Sequence, residues 1–127
     1  MTIEAGAFTD LGVTWHEVCR LKALASERGA AAVVAAVDVA LFRLEDDRVF
    51  AMQQVDPCSG ANVVSRCVVG RRGDVPTIAS PMYQQVYDLR TGGCLDPVAH
   101  AEHRLQTFPV LVVDGVVTVG IPGSAQL

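Results

Sequence analysis

Short apolar segments separated by polar or glycine-bearing breaks recur along this chain, at a spacing that predicts strands rather than long helices. Trp15-His-Glu-Val-Cys19 reads as the first strand, with Trp15 as a core anchor behind a glycine-containing N-terminus. Residues 30–37 are rich in alanine, a helix former, but Gly29 precedes them and paired valines interrupt them, so they read as a strand. Residues 39–44 follow beyond Asp38 as the second arm of a hairpin. Glu45-Asp46-Asp47-Arg48 predicts a turn, because polar residues separate Val39-Ala-Leu-Phe42 from Val49-Phe-Ala-Met52. Residues 56–62, Asp-Pro-Cys-Ser-Gly-Ala-Asn, are turn formers almost throughout and predict a loop. Residues 63–69 and 75–79 read as strands around the polar tip Gly70-Arg71-Arg72-Gly73-Asp74, and a second loop follows at residues 80–85. The final hairpin is the plainest, since Asp114-Gly115 between Val110-Leu-Val-Val113 and Val116-Val-Thr-Val119 supplies the positive backbone angles of a two-residue turn.

Composition supports the strands: half of the 127 residues are hydrophobic, 21 are valine, and only 19% are charged. A chain of this length forms a single domain, residues 1–127, with its core over about 13–122 and mobile termini. The net charge of −4 has the wrong sign for nucleic acid or anionic lipid. The longest apolar run, residues 30–37, falls far short of the roughly 20 residues needed to span a bilayer. Residues 1–10 lack a basic cluster and a continuous apolar segment, so a cytoplasmic location is expected, with Cys19, Cys58, Cys67 and Cys94 as reduced thiols. Motifs for independent catalysis are missing: there is no Gly-x-Gly-x-x-Gly, phosphate-binding loop, Gly-x-Ser-x-Gly or Cys-x-x-Cys.

The order of strands and the two loops resembles a Rieske domain, which presents an iron–sulfur cluster on hairpin loops carrying Cys-Pro-His-x-Gly-Ala and Cys-Pro-x-His. Asp56-Pro57-Cys58-Ser59-Gly60-Ala61 resembles the first loop, with Asp56 in the place of cysteine and Cys58 in that of histidine. Ser80-Pro81-Met82-Tyr83 resembles the second, with Ser80 replacing cysteine and Tyr83 replacing histidine. Tyr87-Asp88-Leu89-Arg90-Thr91-Gly92 matches the Phe-Asp-Leu-x-Thr-Gly that follows it. Within that superfamily the chain is most similar to small subunits of the assimilatory NAD(P)H-dependent nitrite reductase. The residues that carry this likeness include Trp15, Val18-Cys19, Asp56-Pro57, Val63-Val-Ser-Arg66, Ala79-Ser80-Pro81, Gln85 and Asp114-Gly115-Val116-Val117.

The resemblance implies an all-β fold, a Rieske-like antiparallel β-sandwich with both loops at one end. It also implies a subunit of an enzyme that reduces nitrite to ammonium, with FAD, sirohaem and an iron–sulfur cluster in the large subunit and no cofactor in this chain. The alternative is a Rieske-type ferredoxin with unusual ligands. A Rieske centre needs two thiolates and two imidazoles, and all four positions, Asp56, Cys58, Ser80 and Tyr83, have changed. Asp56 then reads as a turn residue that satisfies backbone amides. Cys58 reads as an inert small residue, because no neighbouring cation in sequence would lower its pKa. Cys19, Cys67 and Cys94 read as core. His100 and His103, at i and i+3, lack further metal partners and read as a solvated loop. Met82 and Tyr83 are the expected anchors for the large subunit, with Arg66, Arg71 and Arg72 as a neighbouring basic cluster.

Overall fold

In the computed structural model, which describes residues 8–10, 12–81, 85–95 and 104–122, four consecutive residues of one strand, Val39 to Phe42, are all buried. This run explains the architecture. The strand lies in a sheet covered on both faces, so its two side-chain rows must both be apolar. Val39 and Leu41 pack into one core with Val117, Val119, Ile121 and Phe108. Ala40, Phe42 and Leu44 enter a second core with Met52, Val64, Ile78, Tyr87, Leu89 and Leu105.

Eleven strands are described: β1 (Phe8–Asp10), β2 (Val13–Arg20), β3 (Arg28–Val34), β4 (Val37–Arg43), β5 (Val49–Gln53), β6 (Val68–Arg72), β7 (Val75–Ala79), β8 (Val86–Asp88), β9 (Thr107–Phe108), β10 (Val110–Val113) and β11 (Val116–Pro122). They form sheets in the orders β1-β2-β11-β10, β3-β4-β5-β9 and β6-β7-β8, and every strand pairing is antiparallel. The fold is thus all-β and antiparallel, as expected, with Trp15 buried in β2 as anticipated.

Three local expectations are corrected. The β3–β4 hairpin turns at Ala35-Ala36, not at Asp38, which pairs with Val33 and faces solvent. Both alanines adopt positive φ, +51° and +64°, the conformation that the Asp114-Gly115 turn reaches with an aspartate and a glycine. Residues 63–69 are not one strand: Val64–Arg66 is a 3-10 turn and β6 begins only at Val68. The cause is Gln54, whose backbone oxygen accepts the Val64 N–H at 3.0 Å and whose Oε1 accepts the Ser65 N–H at 2.8 Å. With those donors engaged, Arg66 and Cys67 close back on Val63 and Val64. Arg71 and Arg72 lie inside β6, opposite Pro76 and Val75, which leaves Gly73-Asp74 as the tip.

Among the described residues, no helix is long and apolar enough to cross a membrane.

Candidate functional site between the two loops

The first loop, closed by an antiparallel bridge between Val55 and Asn62, is folded around Asp56. Its backbone N–H donates to Ala61 O at 2.8 Å and its carbonyl accepts from Gly60 at 2.7 Å. Asp56 is 6% exposed, and its carboxylate accepts the Cys58 N–H at 3.1 Å and the Ser59 hydroxyl at 3.0 Å. Asp56 is therefore the amide-satisfying turn residue that its position before Pro57 predicts. Gln54 fixes the loop's exit as well, since its Nε2 donates to Asn62 O at 3.2 Å and to Ser65 Oγ at 2.9 Å.

In the second loop the Ser80 N–H donates to Gln85 O at 2.8 Å, and both residues are buried. Gln85 Oε1 accepts the Tyr87 hydroxyl at 2.9 Å, and the same oxygen accepts the Cys58 thiol from the first loop. One amide oxygen thus ties the loops together. Beyond it, Asp88 holds the turn after β8 by accepting the Arg90 N–H at 2.8 Å and an Arg90 guanidinium N–H at 3.0 Å. The guanidinium holds the Asp88 carboxyl below the usual carboxylate range, against its burial.

Between the loops lies a cavity of about 520 Å³, lined by Asp56, Ser59 and Ala61 from the first loop and Ser80 and Pro81 from the second. Val63, Val64, Arg66, Cys67 and Tyr87 complete its walls. The structure brings Asp56, Ser80 and Arg66 to this cavity and places Cys58 beside it through Gln85. Arg71 is elsewhere: it faces Glu45 in the β4–β5 turn at 3.8 Å, with both side chains exposed. Arg72 stands at the far end of β6 from the cavity, roughly 13 Å along the strand from Val68. Met82, Tyr83, His100 and His103 lie outside the described residues.

The thiols are shielded. Burial pushes Cys58 up and the Asp56 charge adds to it; burial raises Cys67 to about 11, again with help from Asp56; and burial raises Cys19. Cys19, Cys67 and Cys94 are half-buried, packed against the margins of the cores rather than fully inside them. Gln54 escaped sequence reasoning, since a glutamine between a strand and a turn reads as solvated, and only its burial reveals its role.

A family model described as a Rieske-like [2Fe-2S] domain matches residues 14–120. The chain belongs to the Rieske-like domain family. Over 106 residues it is 37% identical to the nitrite reductase NAD(P)H large subunit of Klebsiella oxytoca; the match covers 84% of this chain but only 11% of that much longer one. It is 29% identical to the Escherichia coli K12 nitrite reductase (NADH) small subunit, covering 81% of this chain and 94% of that one. A solved Mycobacterium tuberculosis structure assigned as an NADH-dependent nitrite reductase small subunit superposes with a TM-score of 0.79 at 35% identity, covering 86% of this chain and 96% of that one.

The Rieske-like family name implies a two-iron cluster, and the residues present do not fit one. Such a centre takes two thiolates on one iron and two imidazoles on the other. Here the corresponding positions hold a carboxylate, a thiol, a hydroxyl and, at Tyr83, a phenol. Hard oxygen donors are poor substitutes for thiolate or imidazole. The side chains are also committed elsewhere, Asp56 to its own loop and Cys58 to Gln85. Among the described residues, no group of three or more His, Cys, Asp or Glu could hold a metal ion.

Proposed function

We propose that this chain is the small subunit of a cytoplasmic NAD(P)H nitrite reductase that reduces nitrite to ammonium in nitrate assimilation, and that it acts by docking on the large subunit rather than by carrying electrons. The observation that carries this reading is the hydrogen-bond tie from Cys58 to Gln85, which joins the loops where a Rieske domain would join them through metal. The loop frames are retained while Asp56 and Cys58 spend their side chains on hydrogen bonds within the protein, as expected of a surface kept for its shape. The isolated chain is inactive, and FAD, sirohaem and an iron–sulfur cluster belong to the large subunit. Met82 and Tyr83 anchor the contact, Arg66 adds a charge to it, and Arg71 and Arg72 form a separate basic contact further along β6.

Co-purification with the large subunit tests the docking. Substituting Met82 and Tyr83 together by alanine should weaken recovery of the complex while leaving the isolated chain folded; wild-type recovery would remove those anchors. Spectroscopy tests the cofactor. The chain purified anaerobically and treated with iron and sulfide should remain colourless, whereas two irons per chain with a Rieske-type magnetic resonance signal would establish the ferredoxin reading instead.

A further inference from the structure

We infer that the cavity between the loops is a socket for an apolar side chain of the large subunit carried beside a carboxylate, the carboxylate pairing with Arg66. The inference rests on the docking reading above and specifies its chemistry. At about 520 Å³ the cavity falls within the roughly 300–1,000 Å³ of ordinary binding pockets. Its walls are mainly Ala61, Val63, Val64, Cys67, Pro81 and Tyr87, which offer dispersion contact and few hydrogen bonds.

Among the described residues, the polar groups within the cavity are engaged with one exception. Both Asp56 carboxylate oxygens accept hydrogen bonds from their own loop, and the Tyr87 hydroxyl donates to Gln85. Arg66 is the exception. It is exposed, it projects from the 3-10 turn, and it has no ion-pair or hydrogen-bonded side-chain partner among the described residues. Arg43, Arg48, Arg71 and Arg90 face carboxylates, and of the described arginines without such a partner Arg66 is the one that lines the cavity. An occupant complementary to this site is apolar where it enters and anionic at the rim. A protein is favoured over a free small molecule because the Klebsiella oxytoca large subunit carries a matching segment within one polypeptide, so there the rest of the enzyme is always at hand.

The test uses the full chain, the large subunit and the aromatic sulfonate 1-anilinonaphthalene-8-sulfonate, which combines an apolar body with an anion. Ala61→Trp, at an exposed lining residue, fills the cavity; Arg66→Glu reverses the rim charge. The expected result is saturable probe fluorescence on the isolated chain, displaced by the large subunit. Each substitution should weaken both probe and large-subunit binding at least tenfold, with an unchanged thermal melt. Probe that stays bound in the complex, or variants that bind the large subunit like wild type, would overturn the socket while leaving the docking reading intact. Failure of the wild-type chain to bind the large subunit, with the probe still bound, would instead overturn the docking reading and the protein occupant with it.

Discussion

The Cys58 thiol of the first loop donates its hydrogen bond to Oε1 of Gln85 in the second. These residues are 27 apart in sequence, and they join two loops that local turn chemistry alone would leave independent. Tyr87 donates to the same oxygen from the buried side, so the tie is backed by core. Among the described residues, Gln85 Nε2 has no partner, which makes the amide oxygen the working end of the side chain.

Replacing Gln85 should therefore affect both loops and the core beneath them. Gln85→Leu removes the oxygen that accepts the buried Tyr87 hydroxyl and leaves it only the weak sulfur acceptor of Cys58, at a cost of about 1–3 kcal/mol. Adding Tyr87→Phe to that variant should recover part of the loss. Urea unfolding of the two single variants and the double variant measures this, and strictly additive losses would contradict a shared tie.

Asp56 should matter through its acceptors rather than through chemistry. Asp56→Ala removes the partners of the Cys58 N–H and the Ser59 hydroxyl and should destabilise by about 1–2 kcal/mol. Asp56→Asn keeps one carbonyl oxygen and should cost less. It should also speed alkylation of Cys58, because the Asp56 charge is one of the causes that raise this thiol.

The Ala35-Ala36 turn is an opening for stabilisation. Both residues are left-handed, a conformation that costs a non-glycine residue roughly 1 kcal/mol or more. The double substitution Ala35→Asn with Ala36→Gly should raise stability by about 1–2 kcal/mol without altering the fold, as followed by thermal unfolding.

Alkaline pH should weaken the fold through Cys67. Its folded pKa of about 11 stands above the ordinary thiol value of 9.0. Below pH 9 both folded and unfolded chains hold the proton, and the contribution is complete. Between 9 and about 11 the unfolded chain releases its proton first, so stability falls with rising pH. Cys67→Ala should flatten the pH dependence in that window relative to wild type, once measured by denaturant midpoints at constant ionic strength.

Legibility in the sequence followed the range of the interactions involved. Strands β2, β4, β5, β7 and β11, the Asp114-Gly115 turn and the amide-satisfying role of Asp56 rest on residues within a few positions of one another, where valine content, turn chemistry and side-chain reach suffice. The two loop frames were legible because their motifs stand almost whole around changed ligands. What lay beyond reach required contacts across the fold. Leu41 and Phe42 look alike in a sequence, yet only the three-sheet arrangement sends them to different cores. Gln54 reads as a polar strand end until burial makes it the clamp that bends residues 64–66 out of a strand. Arg66 and Arg71, five apart in the chain, read as one basic cluster, but the 3-10 turn and the run of β6 put one at the cavity and the other against Glu45. Hydrophobic patterning and turn residues thus determined the strands and loops; tertiary packing decided which polar side chains were removed from water, and those had to find partners wherever the fold placed them.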